Sequence, residues 1–140
     1  MLEPDKSPKA RFIYFISCAN TVLNSPKEII KNIFPDNNYC IIDYYERKND
    51  FREISIEVEI DGAKLVCHFD ENDRCNVCLI YPDNKEDMKV YLDVCNSLFE
   101  YNATTGLWLM FSSYVKYNEN EEDNYFTFFS LEKSADSQII

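Results

Sequence analysis

The feature that most constrains the fold is a stretch of strict alternation in the middle of the chain. Apolar side chains at positions 54, 56, 58 and 60 alternate with polar side chains at positions 53, 55, 57 and 59. Because successive side chains of a strand point to opposite faces, this pattern predicts a half-buried strand with an acidic outer face. Asp61-Gly62 follows at once and favours a two-residue hairpin turn. The returning segment Ala63–Phe69 is therefore predicted to pair antiparallel with this strand.

The remaining apolar segments predict further strands on both sides of one long helix. Residues 39–46 and 75–81 have strand character, as do residues 107–117 and 125–131 near the end of the chain. Residues 83–102 carry apolar side chains at helical spacing, namely Met88, Leu92, Cys95 and Phe99.

The sequence thus predicts one α+β domain over residues 1–140. We expect an antiparallel sheet of about five to six strands with helices packed on it, in the order α-(α)-β-β-β-β-α-β-β. Residues 1–9 and 133–140 are polar and are expected to be frayed.

Two helical segments are predicted before the first strand. Ser25-Pro26-Lys27-Glu28 has the pattern of a capping box and predicts a helix over residues 25–34. Residues 12–23 are ambiguous, because helical spacing of their apolar side chains competes with a composition typical of strands. We favour a helix for this segment, starting near Ser7-Pro8.

The charge balance indicates which partners suit the chain. Twenty-five acidic and fourteen basic side chains give a net charge of −11. This charge repels nucleic acids and anionic lipids and attracts basic partners. No apolar run reaches the roughly 18 residues of a membrane span. We therefore expect a cytoplasmic protein with no direct contact to nucleic acid or membrane.

The segment from Cys67 to Cys78 contains three cysteines and the only histidine, His68. A zinc site is disfavoured, because Cys75 and Cys78 are three apart and would point to opposite faces of a strand. A redox site is also disfavoured, because it would need the first cysteine at a helix N-terminus, whereas Cys75 is predicted to lie on a strand beside acidic residues. The cysteines are predicted to be buried free thiols in a reducing compartment. We expect no metal, no cofactor and no enzymatic activity, although paired carboxylates leave a two-acid hydrolase possible by residue type.

The candidate partner-binding residues are acidic and aromatic. Carboxylates form a ladder on one face of the alternating strand and a cluster in the last loop. Trp108 and Tyr114 have the same parity in the segment 107–117 and are candidate aromatic anchors. Strands that are apolar on both faces are either covered on both sides or expose a patch. The acidic candidates are Glu53, Glu57, Glu59, Glu119, Glu121, Glu122 and Asp123.

From Ser25 onward the element order resembles the fold of type III secretion chaperones. In that fold a helix precedes three meandering strands, a long helix and two more strands. The resemblance implies a protein that binds an extended effector segment in apolar grooves, usually as a homodimer.

The chain's small size, acidity and lack of motifs also resemble the immunity proteins of bacterial contact-dependent and polymorphic toxin systems. This resemblance implies an acidic inhibitor, a monomer or homodimer, that occludes the active site of a basic toxin, most concretely a nuclease. A nucleic-acid mimic directed against a DNA-binding protein would work by the same electrostatic mechanism.

Overall fold

The fold consists of three α-helices and one eight-stranded sheet. It is given by a computed structural model that describes residues 7–120 and 122–130. The 3₁₀ turns Lys27–Ile29 and Lys85–Asp87 lead into the second and third helices. The helices are α1 (Pro8–Val22), α2 (Ile30–Ile33) and α3 (Met88–Leu98). The strands are β1 (Tyr39–Glu46), β2 (Phe51–Ile60), β3 (Ala63–Phe69), β4 (Cys75–Pro82), β5 (Glu100–Asn102), β6 (Leu107–Met110), β7 (Ser113–Glu119) and β8 (Asn124–Ser130).

All neighbouring strands are antiparallel, and their order is β1-β2-β3-β4-β8-β7-β6-β5. Strand β8 lies between β4 and β7. It therefore joins β1–β4 on one side to β7, β6 and β5 on the other side in one sheet. The α+β class is as predicted, but the predicted count of five to six strands is wrong.

The two additional strands arise where the apolar pattern hides a break. The long helix ends at Leu98 rather than near residue 102, and Glu100–Asn102 forms β5. The predicted single strand 107–117 is split into β6 and β7 by a turn at Phe111-Ser112. Phe111 has a positive φ of 53°, which is rare for a bulky residue, so no turn signal was visible in the sequence.

The element order of the structure differs from the order that the secretion-chaperone resemblance implies. Four strands, rather than three, precede α3, and four rather than two follow it.

The first helical segment is a helix, as favoured. Ser7 caps α1, because its side chain accepts a hydrogen bond from the amide of Ala10 at 3.2 Å. The second segment is shorter than predicted, and its capping box does not form. The hydroxyl of Ser25 instead donates to the carbonyl of Thr21 at 2.9 Å.

The helices cover one face of the sheet and form the core with it. Phe12 of α1 stacks on Tyr91 of α3, with ring centroids 5.0 Å apart. The same ring contacts Phe126 of β8 at 4.8 Å. All three side chains are fully buried, so the aromatic cluster joins both long helices to the centre of the sheet.

The opposite face of the sheet, called the open face below, carries no helix of the described chain. Its central row, read from the strand register, is Ile42, Ser55, His68, Val77, Phe129, Tyr114, Leu109 and Glu100. These side chains are shielded mainly by one another, so several remain half-buried. The open face is therefore available to a partner.

The prediction of frayed termini lies mostly outside the described residues, which exclude 1–6 and 131–140; Pro8 and Lys9, however, belong to α1. None of the described helices is both long enough and apolar enough to cross a membrane.

Candidate functional site: the acidic end of the open face

A stacked pair of tyrosines lies near one end of the open face. Tyr81 of β4 and Tyr125 of β8 are neighbours across the two strands, with ring centroids 4.7 Å apart and an interplanar angle of 29°. Both side chains are half-buried. Stacked tyrosines lose little conformational entropy when a partner covers them, and tyrosine is enriched in binding hot spots.

Carboxylates flank this tyrosine pair on both sides. On one side Glu59 pairs with Lys64, and Lys64 pairs with Tyr81, so Glu59 lies in the same row of the open face. On the other side the β7–β8 loop carries Asp123 two residues before Tyr125. Three interstrand spacings, about 14 Å, separate β2 from β8. We call this surface the acidic end; it consists of Glu57, Glu59, Tyr81, Glu122, Asp123 and Tyr125. Glu119, another predicted binding residue, has the same parity as Tyr117, which pairs with the buried Phe126, so Glu119 lies on the opposite face.

The pKa of Tyr81 is affected by carboxylates on both sides of the tyrosine pair. Burial raises this pKa above its ordinary value, and the charges of Tyr125, Asp123 and Glu57 raise it further. Carboxylates from β2 and from the β7–β8 loop therefore act on one tyrosine hydroxyl, which remains a neutral hydrogen-bond donor at physiological pH.

The side chain of Asn120 restrains two acidic residues of the β7–β8 loop. Its oxygen accepts hydrogen bonds from the amides of Glu122 and Asp123, at 2.9 and 2.7 Å. Such side-chain-to-backbone hydrogen bonds are typical of turns. The carboxylates of Glu122 and Asp123 are consequently presented at the end of the sheet without a large ordering cost.

Two lysines lie among the carboxylates of the acidic end, Lys64 and Lys85; the ammonium of Lys85 donates to the carbonyl of Asn124 at 2.8 Å. The ammonium of Lys64 is 4.0 Å from Glu57, and both side chains are partly exposed, so the pair stabilises the fold by only about 0–1 kcal/mol. The acidic end carries the four negative charges of Glu57, Glu59, Glu122 and Asp123 against the two positive charges of these lysines. The net field at this end remains negative.

Glu53 does not join the other two members of the predicted ladder. It shares their face, but it lies six residues before Glu59, about 20 Å away along the strand. Its Oε1 is 2.9 Å from Nδ1 of His68. His68 is half-buried on the open face, the predicted solvent side of its strand.

The two predicted anchors lie on opposite faces of the sheet. Trp108 is only 6% exposed, and its Nε1 donates to Oδ1 of Asn96 at 2.9 Å. Trp108 is therefore a core residue, and its assignment as a surface anchor is wrong. The turn at Phe111 reverses the parity of the segment, so Tyr114 lies on the open face. Its ring is tilted against that of Phe129, with centroids 5.5 Å apart. Tyr114 lies five residues before Glu119, about 17 Å along the strand from the acidic loop.

Sequence analysis thus assigned a binding role to the four carboxylates of the acidic end, Glu57, Glu59, Glu122 and Asp123, but missed the tyrosines between them. Glu121 lies outside the described residues. A binding role for Tyr81 and Tyr125 could have been suspected, because Tyr81 lies near the end of β4 and Tyr125 near the start of β8, each beside an acidic turn. Only the strand order shows that β4 and β8 are neighbours.

The cysteine cluster has the character of a packed core. Cys67, Cys75 and Cys78 are all fully buried. A hydrogen bond with Cys67 and burial raise the pKa of the Cys75 thiol, and burial raises that of Cys78. Protonated thiols are poor metal ligands and poor nucleophiles. Among the described residues, no three histidine, cysteine or acidic side chains are arranged to hold a metal ion.

Comparison of the chain with protein-family models, curated proteins and solved structures finds no match.

Proposed function

We propose that this protein binds a basic protein partner through its acidic end and thereby inhibits that partner. The observation that carries the proposal is the placement of two carboxylate groups, distant in sequence, on either side of the stacked Tyr81–Tyr125 pair. A polar, charged rim around aromatic anchors is the usual composition of a protein-binding hot spot.

The inhibition is electrostatic in origin. Carboxylates of the acidic end occupy the sites at which lysine and arginine side chains of the partner would hold an anionic substrate. The net charge of −11 accelerates the encounter with a basic protein. The tyrosine pair then buries aromatic surface, which slows dissociation.

In its most concrete form the proposal is an immunity-type function against a toxin with nuclease activity. It assigns no catalysis and no cofactor to this chain, and it places the protein in the cytoplasm. The six cysteines are free thiols, which suits a reducing compartment.

The direct experiment is affinity capture from the source cells at low and high salt, followed by an activity assay. A basic partner bound in a 1:1 ratio, recovered less well at high salt, is the expected result. Its nuclease activity should fall in proportion to the amount of this protein added. A partner with an acidic binding surface, or full nuclease activity in the complex, would refute the proposal.

A second candidate function, binding an extended segment as a secretion chaperone does, is favoured by one observation. An apolar groove of about 630 Å³ lies between α1, the end of α3 and the β6–β7 turn. Its exposed lining residues include Ile13, Leu98, Leu109 and Phe111. A fluorescent apolar peptide that binds wild-type protein but not Leu98→Lys protein would support it, and equal binding to both would oppose it.

A further inference from the structure

The two edge strands of the sheet differ in length and exposure. β5 has only three residues, as expected of an edge protected against further pairing. β1 has eight residues, an unbroken register with β2 and no proline. Its apolar side chains are exposed on both faces, with Ile41 59% and Tyr44 51% exposed. A long, apolar edge of this kind is suited to pairing with another strand.

The outward-pointing backbone groups of β1 follow from one hydrogen bond. The amide of Glu59 in β2 donates to the carbonyl of Asn38 at 2.9 Å. Since backbone groups alternate in direction along a strand, the even-numbered residues of β1 bond to β2. The amide and carbonyl groups of the odd-numbered residues Tyr39, Ile41, Asp43 and Tyr45 therefore point away from the sheet. They offer four donors and four acceptors to an added strand.

We propose that β1 pairs antiparallel with β1 of a second copy of this chain, around a two-fold axis at Ile42. The two eight-stranded sheets would then form one continuous sheet. The helices of both copies lie on the same side, because a two-fold axis perpendicular to the sheet preserves its faces.

The register follows from the outward groups themselves. With the axis at Ile42, Ile41 lies opposite the second copy's Asp43, and Tyr39 lies opposite its Tyr45. This register alone pairs all four outward-pointing residues with one another. An axis at Asp43 would place two carboxylates opposite each other, which is unfavourable. An axis at Ile41 would leave Tyr45 opposite a residue before the strand.

Charge and shape both favour a second copy at this edge. Antiparallel pairing brings Arg47 and Lys48, which follow β1 of one copy, to the end of the interface where Asp36 precedes β1 of the other. These opposite charges attract each other across the interface. An apolar groove of about 250 Å³, lined in part by Tyr39, Ile41 and Ile56, borders the edge beside α2. The second copy's Tyr45 would lie next to this groove.

The register is tested by disulfide crosslinking in a Cys40→Ser background, which removes the one exposed native cysteine. Residues facing each other in a non-hydrogen-bonded pair have Cα atoms about 4.5 Å apart, within disulfide range. Ile42→Cys is therefore expected to form a covalent dimer with oxidised glutathione, which is reduced as the two thiols join. The matched variant Tyr44→Cys should form no covalent dimer, since the Cα atoms of its two cysteines would be about 13 Å apart.

The solution mass provides an independent measurement. Wild-type protein should approach twice 16.6 kDa in light scattering as its concentration rises. Ile41→Pro removes an outward amide that β2 does not use, and proline is tolerated on such an edge. This variant should lower the dimer fraction at least tenfold while keeping the wild-type circular dichroism spectrum.

A mass of one chain at all concentrations, together with no crosslink at Ile42→Cys, would overturn the dimer and leave the edge to another protein. Equal crosslinking at positions 42 and 44 would overturn the register. Neither measurement requires the partner of the acidic end, although Glu57 and Glu59 of that surface lie on β2, the strand next to β1.

Discussion

The five buried thiols should make the fold unstable in alkaline solution. Burial raises the pKa of Cys95 to about 12, and it is the main cause of the raised pKa of Cys18 and Cys78. The pKa of Cys67 is raised despite an opposing hydrogen bond with Cys75, by a hydrogen bond with Cys78 and by burial. That of Cys75 is raised by its hydrogen bond with Cys67 and by burial.

The sign and magnitude follow from proton linkage. Each thiol has a reference pKa of 9.0 in the unfolded chain and a higher one in the fold. The stability it contributes is therefore fully present below pH 9.0 and is lost as the pH rises toward the folded-state pKa. At pH 10, one unit above the reference, a thiol that stays protonated in the fold costs about 1.4 kcal/mol. The five together cost up to about 7 kcal/mol, against a total stability of about 5–15 kcal/mol.

Guanidinium unfolding followed by circular dichroism, in reductant at pH 8 and pH 10, measures this loss. Cys95→Ala should reduce the difference between the two pH values by about 1.4 kcal/mol. Cys40→Ser alters an exposed thiol and should leave the difference unchanged. Equal unfolding free energies at pH 8 and pH 10, or equal effects of the two variants, would refute the reasoning.

Substitutions at four other positions test individual parts of the fold by chemical denaturation. Gly62 has φ +91°, so Gly62→Ala is expected to cost about 1–2 kcal/mol of unfolding free energy. Trp108→Phe removes the hydrogen bond to Asn96 and should cost about 1 kcal/mol, with no loss of partner affinity. Phe12→Ala should cost about 3–5 kcal/mol. Phe111→Ala, at a side chain that is 75% exposed, should change stability by less than about 0.5 kcal/mol.

Each of these results has a contrary outcome. A neutral Gly62→Ala would contradict the left-handed turn between β2 and β3. If Trp108→Phe protein lost partner affinity without losing stability, the indole of Trp108 would have to contact the partner at the surface. Similar costs for Phe12→Ala and Phe111→Ala would place the core elsewhere.

The middle of the fold could be predicted from sequence because its signals are local. The alternation in β2 and the Asp61-Gly62 turn determine a hairpin without reference to the rest of the chain. The capped start of α1 at Ser7-Pro8 is a similar local signal.

The final strands could not be predicted in the same way. Leu107 to Tyr117 is apolar at both parities, and its turn depends on a phenylalanine with positive φ. That turn is stabilised by the pairing of β6 with β7, a tertiary effect that overrides local preference. Because residues 107–117 were predicted as one strand, Trp108 and Tyr114 were expected on the same face of the sheet.

The acidic candidates were found because charge runs are visible in sequence, whereas their arrangement depends on strand order. The insertion of β8 beside β4 brings Tyr81 against Tyr125 and sets the carboxylates around them. The exposed edge at β1 was missed for the same reason, since no sequence pattern states which strand is outermost.

The most direct test of the central claim compares two triple charge reversals in binding to the captured partner. Glu59→Lys, Glu122→Lys and Asp123→Lys alter the acidic end, whereas Glu28→Lys, Glu71→Lys and Asp93→Lys alter exposed carboxylates elsewhere. Each reversal adds two positive charges, so both variants carry −5 instead of −11. The account predicts that the first variant binds at least about tenfold more weakly, while the second stays near wild type. Equal weakening of both would show that net charge alone drives binding and would contradict a site at the acidic end.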